Sequence, residues 1–104
     1  MDTTFYAQYI PRRMEELGHG DKYFFKIRHL VLFPGEVRTF PAYNEYFYLL
    51  EAPKDFIVES GFGLFDLQAK TNELHYEHQG KIRITNRSPG TYGHIKFIQV
   101  IPKR

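Results

Sequence analysis

The stretch KIRITNRSPGTYGHIKFIQVI, Lys81–Ile101, decides the fold. Ile82 and Ile84 alternate with Lys81, Arg83 and Thr85, the period-two pattern of a strand with one buried face. Ser88-Pro89-Gly90-Thr91 then supplies turn residues, and Gly93–Ile101 alternates again through Ile95, Phe97 and Ile101. Two amphipathic strands joined by a Pro-Gly turn are antiparallel β-structure.

Working back toward the N-terminus, the same grammar repeats. Lys22–Phe33 is a long strand candidate whose Phe25, Ile27, Val31 and Phe33 share one face, interrupted by His29. Phe33-Pro34-Gly35-Glu36 has Pro and Gly where a type II turn places them. Val37–Ala42 and Tyr46–Glu51 follow, and Ala52-Pro53-Lys54-Asp55 breaks the second. Phe56–Glu59 runs into Gly61-Phe62-Gly63, and Leu64–Gln68 and Glu73–Glu77 are separated by polar residues. About eight strands at regular spacing, with no long helix between them, predict an all-β, antiparallel, jelly-roll-like sandwich. Composition agrees: 10 Phe and 8 Tyr stand beside only 2 Met. Aromatic side chains suit a pleated, half-buried surface, whereas Met favours helices.

Residues 1–20 read differently. Phe5, Tyr6, Tyr9 and Ile10 form an apolar-aromatic cluster with no strand partner nearby. Pro11–Leu17 has the signature of a short helix: Pro in a first turn, Met14 and Leu17 three apart, and Gly18 to end it. The expected organisation is an N-terminal arm, 1–20, followed by a β-sandwich domain, 21–104.

The chain's 104 residues suffice for one domain. The absence of cysteine excludes disulfides, thiolate zinc sites and a cysteine nucleophile. MDTTFYAQYIPRR lacks the basic start and apolar run of a signal peptide, and no segment has the roughly 20 apolar residues of a membrane-spanning helix. Asn86-Arg87-Ser88 fits a glycosylation sequon by letter, but reads as a turn before Pro89. A net charge of +2 is too small to imply nucleic acid, and its distribution says more. Residues 51–80 hold six acids against Lys54 and Lys70, whereas residues 81–104 hold six Lys and Arg and no acid. Acidic and basic strands lying side by side account for that pattern, with a basic face for an anionic partner as the alternative.

Candidate chemistry is sparse. His75 and His78, three apart, would point to opposite faces of a strand. A cupin-like site would need His75 with Glu77 and a third ligand such as His94 or His29, and the usual paired-histidine pattern is absent. Ser60 and Ser88 are the only serines, both beside turns and neither in a Gly-x-Ser-x-Gly elbow. Gly61-Phe62-Gly63 is too short for a phosphate loop. Arg83, Arg87, Tyr92, Lys96 and Phe97 could track and stack a single strand, but equally make a solvated face beside core aromatics. Tyr43, Tyr46 and Tyr48 suit either a contact surface or a half-buried sheet face. No residue can be assigned a catalytic role, and neither cofactor nor metal is called for. The sequence reads as a non-enzymatic binding or structural module.

The run LFPGEVRTFPAYNEYFYLLEAPKDFIV, Leu32–Val58, resembles small β-sandwich proteins of tailed phages, including capsid cement and decoration proteins. There a Pro/Gly turn, an Arg-bearing strand, an aromatic-rich strand and an Ala-Pro break precede another strand. The ending KIRITNRSPGTYGHIKFIQVIPKR fits the same style, and the likeness covers roughly residues 30–102. It implies a head-stabilising virion protein, made in the host cytoplasm, that binds the major capsid protein or other virion proteins and forms a homo-oligomer on the shell. Phe5, Tyr6, Tyr9 and Ile10 would then pack on a partner, with Arg12 and Arg13 as polar anchors and Tyr43, Tyr46 and Tyr48 as a further contact face. The alternatives are a tail or receptor-binding adaptor, and a cupin-like or carbohydrate-binding β domain.

Overall fold

The computed structural model describes residues 3–69 and 74–103. It contains helix α1 (Thr3–Glu16) and strands β1 (Tyr23–Leu32), β2 (Val37–Glu51), β3 (Phe56–Ser60), β4 (Gly63–Asp66), β5 (Glu77–Asn86) and β6 (Gly93–Pro102). The strands form one sheet in the order β1-β6-β2-β5-β3-β4, and every pairing is antiparallel. The mostly antiparallel β class expected from the sequence is therefore present, and the described residues form six strands in one sheet where about eight strands were expected.

Two features account for the difference in count. Val37–Ala42 and Tyr46–Glu51 are one strand, β2, with an irregular register between Ala42 and Phe47. Its first half pairs with β5 alone, so Pro41, which has no N–H, costs no bond on the side where β2 has no neighbour. Its second half is shared between β5 and β6. The Glu73–Glu77 candidate is not a strand: Leu74–Tyr76 is irregular, Glu77 opens β5, and Glu73 lies outside the described residues.

Side-chain alternation feeds two cores. On β2, Phe47 and Leu49 point to one cluster while Tyr46 and Tyr48 point to the other. On β6, Ile95 and Phe97 join the first cluster, and Ile98 and Val100 the second. The first cluster is completed by Leu32, Phe56, Val58, Phe65, Ile82 and Ile84. The second is completed by α1.

The N-terminal segment is thus packed on the sheet and is not a free arm. Tyr6, Ile10 and Met14 recur every four residues and form one buried helical stripe over Tyr46, Tyr48, Ile98 and Val100. That stripe extends the helix well before Pro11, where the sequence suggested it would start. Pro11 sits inside α1, and burial of the stripe outweighs the backbone bond it forfeits. Arg13 in the last turn is favourably placed against the helix dipole.

A second correction concerns β1. Phe25, Ile27, His29 and Val31 do share a face, but it is the exposed one. The opposite face carries Leu32 into the core and Leu30 against it. That same end of β1 is anchored by Asn86, which is buried. Its side-chain amide donates to the carbonyls of Leu32, Phe33 and Thr91, and its oxygen accepts from Ser88 N–H.

Candidate partner interface

Among the described residues, β1 is an edge strand paired with β6 alone. The register of the pair fixes which backbone groups look outward. Lys103 N–H donates to Lys22 C=O at 2.8 Å, so Lys22 and Lys103 are a hydrogen-bonded pair. Alternation along the Tyr23↔Pro102 register then turns the N–H and C=O of residues 24, 26, 28, 30 and 32 toward β6. Those of Phe25, Ile27, His29 and Val31 point to the open edge, whereas the Tyr23 N–H is taken by Asp21 C=O. Pro102, which has no N–H, falls opposite Tyr23 as this pattern requires. At the far end the guanidinium of Arg38 donates to Val31 C=O at 3.0 Å and closes the edge there. Glu36 holds Arg38 in place at 2.9 Å and also accepts from Phe33 N–H, and the latter contact leads in lowering the Glu36 carboxyl below its usual range.

The side chains beside this edge are apolar and exposed: Phe25 is 62% accessible, Ile27 52% and Phe24 48%. Phe25 and Ile27 lie next to Val100 and Ile98 of β6, on the face that α1 covers farther across. Between helix and edge runs a groove of about 340 Å³ lined by Thr3, Ala7, Ile10, Pro11, Phe25 and Ile27, among others. On the same exposed face the rings of His29 and His94 meet at 3.1 Å, one nitrogen donating to the other. Among the described residues no group of three or more His, Cys, Asp or Glu is placed to hold a metal ion.

A second concavity, about 300 Å³, opens beside the start of the helix and is lined by Phe5, Tyr9, Tyr48, Phe62, Tyr76 and Glu77, among others. At its floor Glu77 Oε2 accepts from Tyr48 OH at 2.7 Å and pairs with Arg13 Nε at 2.9 Å. Burial, and then the bond to Glu77, push the Tyr48 phenol well above its ordinary range. The Arg13 guanidinium is held charged chiefly by its hydrogen bond to Glu77. Phe5 and Tyr9 stack at 5.5 Å, and Tyr9 meets Tyr48 edge-on at 6.0 Å.

The residues singled out in the sequence are scattered by this architecture. Tyr6 and Ile10 are core, with Tyr6 OH donating to Leu49 C=O. Tyr46 and Tyr48 are core as well, and Tyr46 lies 3.4 Å from His19 Nε2. Phe5 and Tyr9 line the aromatic concavity, Arg13 anchors its floor, and Arg12 is exposed. Tyr43 stays exposed, its carbonyl accepting from Gln79 Nε2. The contact surface predicted at Phe5–Ile10 and Tyr43–Tyr48 is therefore mostly internal. A continuous run of exposed apolar side chains lies instead on β1, whose alternation looked like a core face.

The structure also joins two residues that the sequence kept apart. Ser60 Oγ lies 2.8 Å from His78 Nδ1, and His78 Nε2 lies 2.8 Å from His75 C=O. A carbonyl can only accept, so Nε2 carries the proton and Nδ1 accepts from the serine. His78 is fully buried, and burial lowers its pKa to about 4. A serine–histidine pair of this kind makes a poor nucleophile–base couple. The imidazolium would be a buried charge whose second nitrogen meets a carbonyl, not the orienting carboxylate of a hydrolase triad. The pair ties the end of β3 to β5.

Compared with known proteins, the chain gives no significant match to any family model, curated protein or solved structure.

Proposed function

We propose that this chain is a non-enzymatic structural protein of a virion, of the capsid cement or decoration type, which docks on other virion proteins through the exposed β1 edge. The observation that carries the docking role is the Phe24–Ile27 strip: large apolar side chains held open on a rigid strand whose backbone groups also face outward. The virion assignment rests on the resemblance of Leu32–Val58 and the C-terminal strands to small phage β-proteins. The reading includes a sandwich-like closure of the sheet, which the first cluster supports by gathering side chains from all six strands. A protein that binds the assembled shell and not its separate subunits stabilises the shell by mass action.

The test is co-sedimentation with assembled capsids, alongside light scattering of the chain with unassembled coat protein. Binding to shells that is lost in Phe25→Ser/Ile27→Ser, at unchanged stability, is the expected result. A chain indifferent to shells overturns the reading.

A receptor-binding or carbohydrate-binding module is the second reading. It is favoured by the aromatic concavity around Tyr9, Tyr48 and Glu77, which offers stacking faces beside a carboxylate. Glycan binding that disappears in Tyr9→Ala would move the assignment to it.

A further inference from the structure

We propose that the open edge of β1 takes one added strand from an acidic-apolar segment of another protein, so that the partner extends the sheet beyond β1. The inference rests on the docking role given to β1 above and names the chemistry of its partner.

Three features define that partner. The outward N–H and C=O groups of Phe25, Ile27 and His29 offer main-chain bonds to an extended strand, as in β-augmentation. Phe25 and Ile27 on one face call for apolar side chains at every second position of the added strand. Lys26 and Arg28, on the other face, call for acids at the positions between. Charge complementarity is supported by the surroundings. No acid occurs from Lys22 to Gly35 or from Gly93 to Arg104. The Lys26 face of the sheet's β1–β6 end therefore carries Lys22, Lys26, Arg28 and Lys103, while Lys96 lies on the other face opposite Glu51 of β2. Arg28 is bonded to Gln99, which is bonded in turn to Glu45, and Lys26 is exposed.

The same charges argue against a second copy of this chain. Antiparallel β1–β1 pairing would set the Lys26–Arg28 pair against itself, and like charges opposed across strands are destabilising. Lysine on an edge strand guards against self-pairing in this manner.

The experiment uses the full chain and two fluorescent peptides, one alternating Glu and Val over seven residues and one alternating Lys and Val. Fluorescence anisotropy should show the acidic peptide binding at least about tenfold more tightly than the basic one, with the difference shrinking at high salt. Amide exchange should slow at Phe25, Ile27 and His29. Ile27→Pro removes an outward N–H without touching the β6 ladder, so it should abolish binding while the fold persists. Lys26→Glu, at an exposed position, should reverse the peptide preference and serves if the proline variant does not fold. Equal binding of the two peptides, protection at amides elsewhere, or a dimer in light scattering that Ile27→Pro dissolves would overturn the inference. Shell binding insensitive to both variants would refute the strand-addition inference alone. Strand addition by the peptide without shell binding would refute the virion reading alone.

Discussion

The phenol of Tyr6, on the helix, donates to the carbonyl of Leu49, on the central strand, at 2.6 Å, and both groups are buried. This bond clamps α1 to the sheet in the middle of the second core. Burial is the main reason the phenol resists ionisation, its pKa lying well above that of a free tyrosine. Tyr6→Phe keeps the ring's contact with Tyr48 and leaves the Leu49 carbonyl without this donor. The expected cost is about 1–2 kcal/mol. Tyr6→Ala should cost about 3–5 kcal/mol, because a cavity is added. Urea unfolding of the two variants checks both values, and removal of residues 1–18 should unfold the chain under conditions that leave Tyr6→Phe folded. A truncated chain with wild-type stability would show that the helix is dispensable.

His78 gives the fold a pH dependence whose sign follows from its lowered pKa. The unfolded chain takes up a proton near the ordinary histidine pKa of about 6.5, whereas the folded imidazole does so only near about 4. Between these values the unfolded state holds more protons, so stability falls as pH drops from 6.5 toward 4. Below that window His78 adds no further slope. The neighbouring His75 charge opposes protonation and Glu77 favours it, but burial dominates. His78→Gln keeps a donor for the His75 carbonyl and carries no titrating group. Chemical denaturation from pH 4 to 7 should show a shallower slope in this variant. An identical slope would assign the dependence to other groups.

Glu77 joins the helix to the sheet through two bonds of unequal weight. Its partner Tyr48 is fully buried, whereas Arg13 and Glu77 retain 25% and 17% side-chain exposure. Solvent screening limits the ion pair to about 0.5–1 kcal/mol. Loss of the acceptor for a buried phenol costs about 1–3 kcal/mol. Double-mutant cycles should therefore give a larger coupling for Tyr48→Phe with Glu77→Ala than for Arg13→Ala with Glu77→Ala. The second coupling should shrink in high salt and the first should not.

Strand positions and antiparallel character were legible because alternation in Lys81–Asn86 and Gly93–Ile101 is local. What was not legible depended on which face of an element meets a neighbour. Phe25, Ile27 and Val31 alternate as a core strand does, yet β1 sits at the edge with α1 covering only the next strands. Strand order cannot be read from period-two alternation. Conversely Tyr6, Ile10 and Met14 have helical spacing, but Pro11 drew the predicted start past them. The continuity of β2 was hidden at Tyr43-Asn44-Glu45, which separates the two strand candidates Val37–Ala42 and Tyr46–Glu51 in the sequence and is an irregularity within one strand. Ser60 and His78 are 18 residues apart and meet only because β3 pairs with β5.

Gly93 is a position where packing, and not backbone freedom, demands glycine. A Cβ added there would lie 2.1 Å from Cε1 of Phe56, a fully buried ring of the first core. Gly93 has no positive φ, so alanine would suit its backbone and the whole penalty is steric. Gly93 also begins β6 opposite Leu32, whose side chain belongs to the same core cluster as Phe56 and whose carbonyl accepts from Asn86. Overpacking of this kind costs about 1–3 kcal/mol or more. Gly93→Ala should therefore destabilise the chain by at least that amount. Phe56→Leu, itself destabilising through a smaller side chain, should offset part of the loss when combined with it. Thermal unfolding of the two single variants and the double variant decides the matter, because a steric clash predicts less than additive damage. Strict additivity would mean that the glycine is required for some reason other than the Phe56 ring.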